Sequence, residues 1–530
     1  MTTNATYSRR DFLRRLGLGA LAAAALPRGV HAADPPSGPV AAATKPNIVY
    51  ILADDMGYGD LACQNPKSKI PTPNLDRLAA QGVRFTDAHA PTAVCTPTRY
   101  AVLTGRYCWR SWLKKGVLGP YGKPVIEPGR LTVPAMLKSV GYKTACIGKW
   151  HLGWEWPRTD SKPLAGRGKG TVPTEGPANA QVAGNIDFTK PVAEGPTTRG
   201  FDTYFGTDVP NYPPYCFIEN DRTLGIPTIP KPGTMFGNPG LMLEGWDLVQ
   251  ILPTLTKKAV EYVETSAKTP DKPFFLYFPL TSPHTPIVPA PEFKGKSGAG
   301  DYGDWVHQTD WTVGQMLDAI DRSGLAENTL VIFASDNGPE YFAYARIREF
   351  GHYSMGDLRG LKRDAWEGGH RVPFMARWPG RIKPGATSSE IVCHVDLMAT
   401  LAALLGIRLP DDAGEDSYNI LPALLGERLD KPIREAVVHH SCNGKFAIRQ
   451  GNWVFIDAPT GGDNKEPDWL KQERGYEPHS HPGELYDLSQ DLGERRNLYA
   501  EHPEIVQRLK ALLEKYKAEG RSAPRAPRPV

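Results

Sequence analysis

Four uninterrupted apolar runs in the chain are each followed directly by a cluster of polar residues. The runs occupy residues 47–53, 143–147, 274–278 and 329–335. A run without polar alternation is typical of a strand buried on both faces, as in a parallel sheet that helices cover on both sides. Ligands bind beyond the carboxyl ends of the strands in open α/β sheets, so the four polar clusters predict a functional site at that edge.

Helical patterns lie between these runs. Thr72 as a cap and Pro73 at the first helical position predict a helix that Gly82 closes. A second helix is predicted over Asp304–Arg322, shortly before the fourth apolar run. Strands that alternate with helices in this way indicate an α/β protein.

After about residue 430 the pattern changes to short strand-like runs, followed by one amphipathic helix. The runs occupy residues 435–439, 446–449, 453–456 and 484–488, and the apolar face of the final helix carries Ile505, Leu509, Leu512, Leu513 and Tyr516. We therefore predict an α/β fold with a large mixed, mostly parallel sheet flanked by helices, and a smaller C-terminal subdomain of an antiparallel sheet plus a helix.

Composition and charge exclude several classes of protein. A chain of 530 residues suits one large α/β domain plus a smaller one, and 40% hydrophobic residues exclude a disordered polymer. No stretch of 18 apolar residues occurs, so we expect no stable membrane span. The net charge is +4, but residues 1–32 hold five arginines and one aspartate, which leaves the remainder neutral. A neutral body argues against nucleic acid as a partner.

The first 32 residues have the pattern of an export signal. Arg9 and Arg10 precede an apolar run over residues 16–26, and small residues near Ala32 suit cleavage. The paired arginines predict a signal peptide of the twin-arginine type over residues 1–32, followed by a linker over residues 33–45. An amphipathic surface helix is the alternative, but the run has no polar face. We expect a periplasmic or secreted protein and the twin-arginine export machinery as a partner.

Two pairs of oxygen donors follow the first and fourth apolar runs. Asp54 and Asp55 end the first run, and Asp336 and Asn337 end the fourth. Each pair alone is typical of a turn. Together, after two buried strands, they predict a site for a hard cation such as Ca²⁺ or Mg²⁺.

A cysteine lies at the predicted start of another helix. Pro97 permits a helix to begin near Cys95, and Gly105 permits it to end. Arg99 lies one turn further on the same face as Cys95. By composition alone, a structural cysteine beside a surface arginine is the simpler interpretation. The seven cysteines show no metal-binding spacing, and their odd number leaves at least one unpaired or chemically altered in an exported protein.

The segment Cys95-Thr96-Pro97-Thr98-Arg99 resembles the Cys-x-Pro-x-Arg signature of the type I sulfatases, the formylglycine-dependent, arylsulfatase-like branch of the alkaline-phosphatase-like superfamily. Other hallmarks of that family resemble segments of this chain in the same order. They are residues 51–59, 141–153, 335–338, 359–362 and 484–488. The resemblance runs from about residue 46 to 516, apart from a Gly- and Pro-rich excursion over residues 157–200.

The resemblance implies a cofactor chemistry. Cys95 would be converted to formylglycine by a formylglycine-generating or maturation enzyme, and the hydrated aldehyde would attack the sulfur of a sulfate ester and then release sulfate. One Ca²⁺ would be bound by the modified Cys95 together with Asp54, Asp55, Asp336 and Asn337.

The resemblance also implies a role for each remaining polar residue. Arg99 would hold the diol and the carboxylates, and Lys149 would contact the diol and the sulfate. His151 would act as the base, and His284 and Lys362 would flank the leaving oxygen, one of them as its proton donor. Lys362 is followed by Arg363 and Asp364, where a small or polar run is more usual, so a local shift of Lys362 is open.

These implications define an enzyme of the sulfatase type, a sulfuric ester hydrolase, and leave two alternatives. One is a phosphate or phosphonate monoester hydrolase of the same superfamily, although the chain offers a single set of oxygen ligands. The other is a non-catalytic, calcium-dependent glycan-binding relative. The predicted domains are a catalytic domain over residues 46–430, a C-terminal α+β subdomain over residues 431–522 and a tail over residues 523–530.

The predicted substrate is a sulfated carbohydrate, cleaved at an exposed chain end. The polar and aromatic segment Asp208–Arg222 and the excursion over residues 157–200 are predicted to select it. Within the first segment, the candidates are Asn211, Tyr212, Tyr215, Asn220 and Asp221. A 6-sulfated galactose-type residue is suggested by the overall resemblance.

Overall fold

The computed structural model describes residues 45–161 and 185–525. The predicted signal peptide, nearly all of the predicted linker, the central part of the excursion and the last residues of the tail lie outside the described residues. These described residues form one compact unit.

A ten-stranded mixed sheet forms the centre of this unit. In spatial order its strands are Ala386–Ser388 (β13), Val83–Phe85 (β2), Phe374–Arg377 (β12), Thr329–Ser335 (β11), Asn47–Asp54 (β1), Phe274–Pro283 (β10), Lys143–Lys149 (β4), Thr203–Thr207 (β5), Ile218–Glu219 (β6) and Arg222–Thr223 (β7). The five strands from β11 to β5 are mutually parallel, whereas β12, β6 and β7 run antiparallel to their neighbours.

The four predicted strands are neighbours in the middle of this sheet, in the order β11, β1, β10 and β4. Every residue of β1, β10 and β11 is buried, as the unbroken apolar runs predict. β10 continues five residues beyond the predicted end at Phe278. Pro279 follows the apolar run, but the strand continues through it, and Pro279 lies opposite Leu52 of β1.

Three smaller sheets contain the remaining strands of the described residues. Ala88–His89 (β3) pairs with Val392–Cys393 (β14), and Ile229–Pro230 (β8) pairs with Leu241–Met242 (β9). The four C-terminal strands form an antiparallel sheet, in the order Val437–His440 (β15), Phe446–Gln450 (β16), Trp453–Ile456 (β17) and Glu484–Asp487 (β18). The mixed sheet, the flanking helices and this smaller sheet confirm the predicted fold class.

Eleven α-helices are present in residues 45–161 and 185–525. They are Pro73–Ala80 (α1), Cys95–Thr104 (α2), Val133–Ser139 (α3), Ile251–Ser266 (α4), Gly300–Arg322 (α5), Ala343–Phe350 (α6), Glu367–His370 (α7), Leu397–Leu404 (α8), Leu421–Leu425 (α9), Asp468–Arg474 (α10) and Pro503–Ala518 (α11). α5 begins four residues before its predicted start at Asp304. None of these helices combines the length and the hydropathy that a membrane crossing requires.

Helices cover both faces of the large sheet, as β1 demonstrates. Ile48 and Tyr50 belong to a core shared with α2, α3 and α8, whereas Val49 and Ile51 belong to a second core shared with α1, α4 and α5. Successive side chains of a strand point to opposite faces, so one apolar run serves both cores.

The C-terminal sheet shares its core with the rest of the unit. The apolar face of α11 packs against β16 and β17 in a cluster that also contains Ala101 of α2 and Tyr107. All five residues predicted for the buried face of α11 are buried. This shared core fixes the C-terminal sheet against the helix that begins at Cys95.

Candidate active site

The oxygen donors predicted at the ends of β1 and β11 meet in the structure. The amide of Asn337 donates to Asp55 Oδ1 at 2.7 Å, and the backbone N–H of Asp55 lies 3.2 Å from Asp336 Oδ1. Asp54, Asp55, Asp336 and Asn337 are all buried. They meet because β1 and β11 are adjacent and parallel, so both strands end at the same edge of the sheet. Asp55 has a φ of 65°, in the left-handed region that is uncommon for non-glycine residues.

α2 brings Cys95 and Arg99 to the same edge. The helix is buried along its whole length, and it ends at Gly105, whose φ of 64° is the left-handed conformation that closes helices. Arg99 is fully buried, and its guanidinium lies 2.7 Å from Asp336 Oδ2 and 3.4 Å from Asp54 Oδ2. Composition alone favoured a surface arginine at this position, and that interpretation is wrong, because Arg99 is buried beside the carboxylates.

The end of β4 supplies two further predicted residues. Lys149 is fully buried with its Nζ 2.6 Å from Asp54 Oδ2. His151 Nε2 lies 2.8 Å from the carbonyl oxygen of Leu118. The backbone N–H of His151 donates to Asp208 Oδ1 at 3.1 Å. A carbonyl only accepts, so Nε2 carries the proton, and Nδ1 is left as a buried acceptor without a partner. Burial, followed by the charge of Lys149, lowers the pKa of His151 to about 3, which keeps the ring neutral.

His284 and Lys362 lie on the other side of Asp55. Lys362 Nζ is 2.7 Å from Asp55 Oδ2 and 3.5 Å from Glu340 Oε2, and His284 Nε2 is 3.7 Å from Asp55 Oδ2. Lys362 therefore reaches the site despite the unusual residues that follow it. Burial and the charge of Lys362 lower the pKa of His284 to about 4. Burial alone would lower the pKa of Lys362, but Asp55 and Glu340 raise it well above its ordinary value.

The pKa values of the two innermost carboxyl groups, Asp54 and Asp336, shift in opposite directions. Burial by itself would raise the pKa of Asp54, but the charges of Lys149, His284 and Arg99 together hold it well below its ordinary value. For Asp336, burial and then the charge of Asp54 raise the pKa well above its ordinary value. A divalent cation beside both groups would favour the ionised form of each.

The donor set fits such a cation. Asp54 Oδ1 and Asn337 Oδ1 are buried and have no hydrogen-bond partner, which is costly unless another group uses them. Asp54, Asp55 and His284 also place ligand atoms within 4.8 Å of one another. Carboxylate and amide oxygens are ligands that Ca²⁺ and Mg²⁺ prefer.

A cavity of about 560 Å³ opens over these residues. Cys95, His151, His284 and Lys362 line it. Its further lining includes Asn211, Tyr212, Phe236, Asn238, Glu340, Tyr341, Phe342, Arg363 and Cys442. Cys95 is almost fully buried at the base of α2, with 3% of its surface exposed. None of the seven cysteines, all within the described residues, is paired in a disulfide.

Only part of the segment predicted to select the substrate faces this cavity. Asn211 and Tyr212 line it. The Tyr215 hydroxyl instead lies 2.9 Å from the carbonyl oxygen of Asn211 and 2.6 Å from that of Asn238, and it holds these two loops together behind the cavity wall. Asn220 accepts a hydrogen bond from the backbone of Tyr204, in a turn outside the lining. Asp221 and the described parts of the excursion, residues 157–161 and 185–200, are also outside the lining. The remainder of the excursion lies outside the described residues.

Sequence reasoning missed several residues of the cavity wall. Glu340 contacts Lys362 and Arg363. Glu340 comes shortly after the Asp336-Asn337-Gly338 motif, so adjacency to that motif is a signal that could have found it. Phe236 and Asn238 follow no strand and no motif, and only the folded chain brings them to the cavity.

Carboxylates, buried cations and a cysteine meet at one edge of the parallel sheet beneath a cavity, and such an arrangement is typical of an enzyme active site. The family model described as "Sulfatase" matches residues 46–407. An N-acetylgalactosamine-6-O-sulfatase of Bacteroides thetaiotaomicron is 36% identical over 518 residues, which cover 89% of this chain and 93% of the relative. Human arylsulfatase A is 34% identical over 89% of this chain and 88% of its own.

The solved structures agree with these relatives. A structure from Bacteroides thetaiotaomicron, described in work on the metabolism of multiple glycosaminoglycans, is 35% identical with a TM-score of 0.75. The match covers 90% of this chain and 100% of that one. The chain therefore belongs to the sulfatase family and is a sulfatase, an enzyme that hydrolyses sulfate esters.

Proposed function

We propose that this sulfatase removes sulfate from the exposed end of a sulfated carbohydrate, with Cys95 converted to formylglycine and one Ca²⁺ bound beside it. The observation that supports the metal most directly is the pair of buried, unpartnered oxygens on Asp54 and Asn337. They lie in a cluster of carboxylates beneath the cavity that Cys95 lines.

The metal would be held by Asp54, Asp55, Asp336, Asn337 and residue 95. When bound, a divalent cation offsets the charge of the ester oxygens. Three carboxylates and the three cations Arg99, Lys149 and Lys362 balance in charge, so a dication leaves the site net positive. A net positive, buried site attracts an anionic sulfate ester.

Formylglycine at position 95 would supply two hydroxyl groups on one carbon, one to attack sulfur and a second to expel sulfate. The chain's own residues position and move protons around that group. Arg99 and Lys149 are fixed by Asp336 and Asp54 and hold the reacting oxygens. His151 takes up a proton at its free Nδ1, and His284 and Lys362 flank the leaving oxygen, where one of them donates a proton.

The substrate class rests on the cavity and on the relatives. The catalytic residues contact only the sulfate, so the alcohol must be selected by the cavity wall. That wall combines aromatic side chains with the amides Asn211 and Asn238, which suits a sugar ring and its hydroxyl groups. The Bacteroides relative is named for a 6-sulfated N-acetylgalactosamine, and this supports a 6-sulfated galactose-type residue here.

Two experiments test the proposal. The mass of the peptide that contains residue 95, from fully active protein, should show the change of CH₂–SH to CHO, and an unmodified cysteine would contradict the formylglycine. A panel of sulfated mono-, oligo- and polysaccharides beside an aryl sulfate and a phosphate ester should give the highest kcat/KM for a sugar, with release from chain ends. Preference for the aryl sulfate over every sugar would overturn the substrate class.

We also propose that residues 1–32 direct export through the twin-arginine machinery to the periplasm or beyond. That route carries folded proteins, so a maturation enzyme could modify Cys95 before export. A reporter fused to residues 1–45 should be exported only while Arg9 and Arg10 are intact. The catalytic domain over residues 46–430 and the C-terminal subdomain over residues 431–522 are proposed with the same boundaries.

A further inference from the structure

Three exposed aromatic side chains line the catalytic cavity. Phe236, Tyr341 and Phe342 expose 44%, 48% and 41% of their surface and belong to the cavity lining. Across residues 45–161 and 185–525, Trp112 is the one other large aromatic side chain with comparable exposure, and the ammonium of Lys123 lies over its ring at 4.3 Å. The concentration of exposed rings at one cavity therefore needs an explanation.

The loop that carries Phe236 is fastened to the cavity wall. The N–H of Asn238 donates to the carbonyl oxygen of Asn211 at 2.9 Å, and the Tyr215 hydroxyl donates to the carbonyl oxygen of Asn238 at 2.6 Å. Gly237 makes this contact possible, since it has a φ of 116° and a Cβ there would lie 2.5 Å from the Tyr215 hydroxyl. These contacts hold the loop of Phe236 in a defined conformation at the cavity.

The other two rings are tied to the sulfate end of the cavity. The N–H of Tyr341 donates to Glu340 Oε1 at 2.8 Å, and the other oxygen of Glu340 lies 3.5 Å from Lys362 Nζ. Phe342 directly precedes α6, and its ring centroid is 4.2 Å from that of Tyr341. The two rings therefore form one continuous apolar surface next to the catalytic lysine.

A polar acceptor accompanies the rings. Asn211 Oδ1 is a buried atom without a hydrogen-bond partner, and Asn211 lines the same cavity. Arg363 also lines the cavity, but its guanidinium is paired with Glu340. Apolar faces, a free amide acceptor and no uncompensated charge match the C–H face and hydroxyl groups of a sugar ring.

We propose that Phe236, Tyr341 and Phe342 form a second sugar-binding subsite, which takes the ring next to the sulfated one. The proposal rests on the proposed function, because it requires the substrate to be a sulfated carbohydrate. It adds that the enzyme acts on chains of at least two sugars in preference to a sulfated monosaccharide. The aromatic surface contributes to KM, because it contacts a ring that takes no part in the reaction.

The test compares two sugars that differ only in the neighbouring rings. The probes are 6-sulfated N-acetylgalactosamine alone and the same residue at the non-reducing end of a chondroitin 6-sulfate trisaccharide, with an aryl sulfate as a third substrate. We expect wild-type kcat/KM to favour the trisaccharide by about tenfold, the equivalent of one or two aromatic contacts. Phe236→Ala and Tyr341→Ala should lose that preference through KM, and Tyr341→Trp should retain it.

Trp112→Ala is the matched control, an exposed aromatic residue outside the cavity lining, and it should keep the wild-type preference. Unfolding midpoints check that the variants are folded. As a readout without sulfate release, the desulfated trisaccharide should inhibit aryl sulfate turnover, with a Ki about tenfold higher for Phe236→Ala.

Equal wild-type kcat/KM for the two sugars would overturn the subsite while leaving the proposed function intact. An equal loss on all three substrates in the Phe236 and Tyr341 variants would also overturn it. A larger loss on the aryl sulfate than on the trisaccharide would assign the rings to an apolar alcohol instead. If the wild-type enzyme cleaves the aryl sulfate but no sugar, the proposed substrate class fails, and the subsite fails with it.

Discussion

His151 Nε2 lies 2.8 Å from the carbonyl oxygen of Leu118, and this contact sets which ring nitrogen is free. The proton is held on Nε2, so the buried Nδ1 is the basic atom. A ring fixed in one tautomer is prepared to accept a proton without first rotating or exchanging its own.

Replacing this base should therefore block turnover after the first chemical event. For His151→Gln we expect kcat to fall by about 10²–10⁴-fold, the range for loss of a general base, with a folded protein. Single-turnover measurements with an aryl sulfate should show up to one equivalent of alcohol and far less free sulfate. Equal and equally slow release of both products would contradict the assignment of the base.

Removal of the metal should lower both stability and activity. Exhaustive chelation should lower the unfolding midpoint and abolish sulfate release, and Ca²⁺ should restore both, because bound cation stabilises only the folded state. Asn337→Ala removes one of the two unpartnered oxygens, so it should weaken the Ca²⁺-dependent rise in midpoint. Asn452→Ala, at an exposed position, is the control. Full activity in a protein shown to be metal-free would refute the site.

The stability of the fold around the buried Arg99 should depend on Asp336. Asp336→Ala leaves the fully buried guanidinium of Arg99 with Asp54 alone, at 3.4 Å, and removes a predicted metal ligand. Leaving a buried, charged donor without one of its hydrogen-bond acceptors costs about 1–3 kcal/mol in the free energy of unfolding. Urea titration of the chelated protein isolates this cost from the loss of the metal. A change below about 1 kcal/mol would show that Asp54 compensates fully.

Gly237 should be more sensitive to substitution than another glycine with a positive φ. Gly237→Ala places a Cβ 2.5 Å from the Tyr215 hydroxyl at a φ of 116° and should displace the loop of Phe236. Gly245→Ala is the control, since its φ is 73° and no atom lies within 4 Å of the added Cβ. We expect both variants to lose about 1 kcal/mol from backbone strain, and only Gly237→Ala to raise KM for a sugar substrate. An equal KM in the two variants would contradict a role for this loop in binding.

A buried histidine cluster outside the cavity should make the protein sensitive to acid. The rings of His370 and His439 stack 3.9 Å apart, and His89 Nδ1 lies 3.1 Å from His370 Nδ1. Burial lowers the pKa of His370 to about 3 and, with the neighbouring histidines, lowers that of His439 well below its ordinary value. The charged groups around the cluster are Asp87, Glu367, Arg371 and Arg449.

The sign of this effect follows from the lowered pKa values. Above pH 6.5 the two histidines are neutral in both states, and below it the unfolded chain takes up their protons first. Stability is then lost as the pH falls from 6.5 towards 3, by about 1.4 kcal/mol per pH unit for each histidine. Urea midpoints should fall from pH 7 to pH 4, with further contributions from the other buried histidines whose pKa is lowered, and His439→Gln should reduce the slope by the share of one histidine. His502→Gln, at a partly exposed position, should not.

The amino-acid sequence by itself determined the central strands and the first polar residues of the candidate site. The apolar runs that become β1, β4, β10 and β11 are long and unbroken, and such a pattern depends only on neighbouring residues. Asp54, Asp336 and Lys149 could be predicted for the same reason, because they follow those runs directly. The helix that begins at Cys95 could also be predicted, from Pro97 and Gly105.

Only the tertiary structure decided how these residues act. The neutral tautomer of His151 depends on Leu118, and the burial of Arg99 depends on β1 and β11, more than two hundred residues apart in the chain. The aromatic cavity wall joins the loop of Phe236 to the start of α6. These features are pairings between distant segments, and local pattern carries no signal for them, because packing in three dimensions determines which surfaces meet.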